Sequence, residues 1–166
     1  MILVLHRSIN CITRFKQSFS MLRAVNFVRL LSIVIFLGTL SLVYTYLDPV
    51  VNFSLEIDRF TLHRTDFFYL SALIFLVINI FLWLLIKIVA PKIAQRFGIL
   101  SAGWFAVLPV VVNFYICFLI GFLGALNNTS SLQLASYAYL NYLGPILLTI
   151  WMGLAIYFMS TKKSLD

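Results

Sequence analysis

Only one group of side chains in this sequence is placed for acid–base or metal chemistry. His63 stands close in the chain to Glu56, Asp58 and Asp66, an imidazole among carboxylates. The spacing matches no standard metal-ligand motif, and a surface-loop histidine among charges is ordinarily just solvated. His6 is far away in the chain and, by the charge pattern below, on the opposite side of a membrane. Cys11 lies in a polar tail and Cys117 inside an apolar run, so they form no plausible disulfide or metal pair. There is no phosphate loop, nucleophile motif, haem attachment sequence or zinc signature. The expectation is a protein without catalytic residues, cofactor or metal, and not an enzyme.

A second set of informative residues lies inside apolar runs. Pro109, Asn113, Cys117, Gly121 and Ala125 recur every four positions, as do Asn141, Pro145, Thr149, Gly153 and Tyr157. Residues four apart share one helix face, so each run presents a stripe of small and polar groups. Such stripes let helices approach closely and exchange hydrogen bonds. They can also line a polar path, with Pro109 and Pro145 freeing backbone carbonyls for a ligand. Asn79 and Asn113 fall at similar depth near the middle of their runs, which allows the two amides to bond across a helix interface. No Asp, Glu, Lys or His lies at that depth, which argues against a proton relay. Gly144-Pro145 is a kink candidate.

The elements that hold these residues follow from composition. Of 166 residues, 63% are hydrophobic and 10% charged, against about a quarter charged in soluble domains. Four runs, about 24–46, 67–89, 103–126 and 138–160, reach the ~20 helical residues that span a hydrocarbon core. None contains Asp or Glu, and their only charges are Arg29 and Lys87, each near an end where a long side chain can snorkel. This predicts an all-α membrane protein, a bundle of four transmembrane helices.

Lys and Arg orient it. Arg7, Arg14, Lys16, Arg23, Arg29, Lys87, Lys92, Arg96, Lys162 and Lys163 fall on one side, and only Arg59 and Arg64 on the other. The positive-inside rule places both termini in the cytoplasm, in a plasma (inner) membrane. Tyr44, Tyr46, Tyr69, Tyr137, Tyr139 and Tyr142 gather at the outer helix ends, as an aromatic belt does. The +7 net charge therefore describes orientation and does not suggest nucleic acid.

Residues 1–23 form a basic cytoplasmic tail. Its apolar positions recur at three- and four-residue steps, as in an amphipathic helix on the inner leaflet. A translation start at Met21 is the other reading. In the outer loop, Phe53, Leu55 and Ile57 alternate with polar residues, and after Asp58-Arg59 so do Phe60 and Leu62. That predicts a small extracytoplasmic β-hairpin-like loop, followed by an N-cap at Thr65-Asp66. Asn52, Asn127 and Asn128 each begin an N-glycosylation pattern on the outer side. Residues 161–166 form a cytoplasmic C-terminal tail.

The function expected on these grounds is that of an accessory or assembly subunit of a membrane complex. Its partners would be the lipid bilayer and either further copies of the chain or a larger membrane assembly. The alternative is a small transporter or channel component with a polar path through Asn79, Asn113 and Asn141.

Overall fold

A computed structural model describes residues 2–53, 61–128 and 139–161, with side chains described from residue 23 to residue 160. In chain order the elements are α1 (Ile2–Tyr46), β1 (Val50–Asn52), β2 (Thr61–His63), α2 (Arg64–Phe97), α3 (Ile99–Phe105), α4 (Leu108–Leu126) and α5 (Leu140–Thr161). Four helical segments are long and apolar enough to cross a membrane: Arg23–Tyr46, Arg64–Phe97, Ile99–Leu126 and Leu140–Ser160.

Proline and glycine set the boundaries. No proline occurs from Ile2 to Tyr46, and α1 runs unbroken through the basic tail and the first span. It stops just before Asp48-Pro49, where the proline ring disfavours helical geometry at the preceding residue. The helix α2 passes through Pro91 and ends at Gly98, whose φ of 91° and ψ of 170° suit a residue without Cβ.

The third span is two helices rather than one. Pro109 has no N–H to continue the ladder, and the chain turns at Ala106 and Val107 between α3 and α4. Tighter bonds bridge the turn, from Val107 N–H to the Trp104 carbonyl (3.1 Å) and from Val110 N–H to the Val107 carbonyl (2.9 Å).

The two strands pair antiparallel with Val51 opposite Leu62. The described pairing lies closer to the helix ends than the predicted alternation. The expected strand residues Leu55 and Ile57, and the turn at Asp58-Arg59, lie outside the described residues. The expected cap at Thr65-Asp66 is corrected: α2 starts at Arg64, with His63, two residues before Thr65, as N-cap and no side-chain cap bond. The Thr65 hydroxyl is hydrogen-bonded to His63 Nδ1 at 2.7 Å instead.

The order of contacts fixes which ends of the helices meet. At one end the residues just after α1 and α4 join through the Leu47–Asn128 bridge, and Arg64 N–H donates to the Pro49 carbonyl. The hairpin sits there. At the other end, the termini end, α3 packs on the last turns of α5, with Ser101 Oγ donating to the Phe158 carbonyl at 3.3 Å. The core is a cluster on α1, α2, α4 and β1 that includes Phe36, Leu40, Val51, Phe67, Phe75 and Ile120. Phe36 and Phe75 stack with their rings 3.6 Å apart. The segment ending in α4 is the most enclosed of the four and α5 the least.

Candidate functional site

Three helices bring polar side chains together inside the apolar bundle. Ser32 on α1, Asn79 on α2 and Asn113 on α4 each lie thirteen to fifteen residues from the hairpin end. At ~1.5 Å per residue that is one common depth of ~22 Å. All three are buried, Asn113 completely. Asn79 Nδ2 donates to Asn113 Oδ1 at 2.9 Å, and Asn113 Nδ2 donates to Ser32 Oγ at 2.8 Å. Ser32 in turn donates to the Arg29 carbonyl at 2.7 Å. The Arg29 guanidinium donates to the Asn79 carbonyl at 3.3 Å, which closes the circuit across α1, α2 and α4.

Each member is held by the regular helix beneath it. Asn79 Nδ2 also donates to the Phe75 carbonyl one turn back, fixing its rotamer beside the Phe36–Phe75 stack. Asn79 Oδ1 is buried and has no hydrogen-bond partner among the described residues. Within hydrocarbon a set of amides bonded to one another acts as a clasp between helices.

The two sequence stripes have different fates. On α4, Pro109, Asn113 and Cys117 face inward and are buried, and Gly121 and Ala125 are half-buried. On α5, Asn141, Pro145, Thr149, Gly153 and Tyr157 are all exposed. The α5 stripe faces away from the bundle. Thr149 Oγ1 donates back to the Pro145 carbonyl at 2.8 Å, within its own helix.

Asn141 does not join Asn79 and Asn113. It lies next to Leu140, which is level with Gly121, eight residues and ~12 Å nearer the hairpin end than Asn113.

Close helix approach falls on glycines other than those singled out by spacing. A Cβ at Gly121 would meet only Leu140 Cδ1 at 3.8 Å, and one at Gly153 would meet nothing within 4 Å. A Cβ at Gly144 would fall on the Tyr115 ring, and one at Gly124 would lie 2.8 Å from Val43 Cγ1.

Two further arrangements escape sequence reasoning. Trp104 Nε1 donates to the Trp151 carbonyl at 3.1 Å while Trp151 Nε1 donates to the Trp104 carbonyl at 3.3 Å. Each indole satisfies a main-chain oxygen across the α3–α5 contact. At the hairpin end the Asn127 side chain binds the main chain of Asn52 on both sides. Its Oδ1 accepts from Asn52 N–H at 2.6 Å, and its Nδ2 donates to the Asn52 carbonyl at 2.9 Å. A tryptophan at the start of the third span, another midway along the fourth and an asparagine after a helix were the available signals, but none names its partner.

The grouping around His63 is only partly described, since Glu56 and Asp58 lie outside the described residues. Among the described residues no three His, Cys, Asp or Glu side chains come together as metal ligands. Comparison with protein-family models, curated proteins and solved structures gives no match to this chain.

Proposed function

We propose that this chain is a non-enzymatic multi-pass membrane protein that serves as an accessory or assembly subunit, joined to further copies of itself or to a larger membrane complex. In this reading both termini lie in the cytoplasm of a plasma (inner) membrane. The observation that carries it is the outward stripe on α5. Asn141, Pro145, Thr149 and Gly153 have the small and polar character of a helix-packing face, yet the chain's own helices leave them exposed. Against lipid tails alone, such residues have no advantage over the Leu, Ile and Phe that cover the other exposed faces. Against another helix they permit close backbone approach.

The transport alternative draws less support. Its first two members, Asn79 and Asn113, are engaged with each other and with Ser32, and its third is exposed elsewhere.

The test is purification in mild detergent followed by native mass spectrometry, comparing wild type with Thr149→Leu, Gly153→Leu. A stoichiometric oligomer or partner present in wild type and lost in the variant supports the reading. A monomer without partner in both, or an assembly indifferent to the substitutions, refutes it.

A further inference from the structure

A second, unrelated feature lies where α1 meets α2 toward the termini end. From Asp66 to Asp166 the sequence has no acidic residue, and none occurs in the first span. Among the described residues the half-buried Arg29 guanidinium thus has no carboxylate partner. Its hydrogen bond to the Asn79 carbonyl, at 3.3 Å, uses one of its five N–H donors.

In an α-helix the carbonyl of residue 79 is the one that residue 83 addresses, so the guanidinium sits at the turn of Trp83. Trp83 is 47% exposed, and the Lys87 ammonium lies 5.1 Å from its ring centroid. Arg29, Trp83 and Lys87 therefore follow one another within two turns of α2.

Depth places this line at a membrane boundary. Arg29 is seventeen residues from Tyr46, ~26 Å along α1, just within a hydrocarbon core of ~30 Å. Lys87 is twenty-three residues from Arg64, ~35 Å along α2, just beyond that thickness. The Arg29 guanidinium, bonded at the Asn79 carbonyl, lies below that boundary and Lys87 above it, with the Trp83 indole between them, so the line runs from the hydrocarbon up to the headgroup level.

A guanidinium held at the edge of hydrocarbon without a counter-ion is unfavourable, and the described residues supply no carboxylate there. The abundant anion at that depth is lipid phosphate, which the planar fork of arginine binds through two parallel N–H donors.

We propose that Arg29, Trp83 and Lys87 form a binding site for the phosphate headgroup of an anionic phospholipid in the leaflet on the termini side. The guanidinium and ammonium pair with the phosphate, the indole lies at the headgroup level, and the exposed Leu84 and Ile88 offer apolar surface to an acyl chain. Charge complementarity favours an anionic lipid over a zwitterionic or neutral one.

The experiment uses the full-length protein in mild-detergent micelles doped with equal amounts of phosphatidylglycerol and phosphatidylcholine, read by native mass spectrometry. Wild type retains phosphatidylglycerol over phosphatidylcholine. Arg29→Gln and Lys87→Gln each lower that retention roughly fivefold, as expected for about 1 kcal/mol per basic residue. Lys92→Gln, an exposed lysine off this line, leaves it unchanged. Arg29→Gln also removes a tie between α1 and α2. Lys87→Gln, at the surface, decides the matter if the Arg29 variant aggregates. Equal phosphatidylglycerol retention in wild type and Lys87→Gln overturns the proposal. So does an equal loss in Lys92→Gln, or a co-purifying protein held through Arg29 with no lipid retained.

Discussion

The Asn79 amide on α2 lies 2.9 Å from the Asn113 carbonyl oxygen on α4, and Asn113 passes the chain of donors on to Ser32 of α1. Three helices are thereby pinned at one depth. In lipid, where water offers no competing bonds, such contacts between spans are worth about 0.6 kcal/mol on average and up to ~1.7 kcal/mol. A double-mutant cycle of Asn79→Leu and Asn113→Leu, followed by reversible unfolding in detergent, is expected to give a coupling energy in that range. Strictly additive effects would mean that the amides do not hold the helices.

The same variants address transport. Vesicles carrying wild type and the double variant are expected to show equal, background ion flux, because the amides bond to one another. A wild-type flux above background that the double variant loses would restore the polar path.

Asn127 acts as the latch of the hairpin. Replacing it with alanine removes three side-chain hydrogen bonds to the main chain, two of them to Asn52 and one to the Leu123 carbonyl. The Leu123 carbonyl keeps its bond from the Asn127 main-chain N–H, while the part-buried Asn52 N–H and carbonyl lose theirs, a loss of about 1–3 kcal/mol. Hydrogen exchange at the Asn52 amide should accelerate by one to two orders of magnitude by that estimate. The same engagement bears on glycosylation: in a glycosylating host Asn127→Gln should leave the glycan mass unchanged, since Asn127 Nδ2 is already committed. A glycan mapped to Asn127 would contradict the latch.

Two glycines of α5 make opposite predictions. Gly144→Ala drives a methyl into the Tyr115 ring and should lower the melting temperature, with a loss of about 1–3 kcal/mol for forced overpacking. Tyr115→Ala in the same chain should recover part of it. Gly153→Ala meets open space and should leave the stability of the isolated chain unchanged. Equal losses at both positions would mean that α5 packs with a different face inward.

The Trp104–Trp151 exchange ties α5 to α3 at the end opposite the hairpin latch. Trp104→Phe keeps most of the apolar surface but removes one N–H donor. The expected loss is about 0.5–1.5 kcal/mol by thermal unfolding, with Trp151→Phe similar and the pair less than additive. Full additivity would mean that the two indoles do not work as a unit.

The count and placement of the apolar helices were legible in the residues alone, because hydrocarbon tolerates only long runs with internally satisfied backbones. The sequence also made the Asn79–Asn113 bond legible, since two amides at one depth among apolar residues have few other partners. A hairpin in the first loop was legible too, though its described strands sit nearer the helices, where pairing is anchored by Arg64 and Asn127. The break before Pro109 had a signal in the missing N–H, but apolarity alone ran straight through it.

Which stripe points inward was settled by packing. Both stripes have the same four-residue period, and periodicity defines a face without saying what the face meets. The enclosed position of α4 consumed one stripe, while the peripheral position of α5 left the other exposed. Packing likewise chose Gly124 and Gly144 over Gly121 and Gly153 as the sites of close approach. A missing side chain matters only where a neighbour fills its place, and one chain's sequence does not place the neighbour.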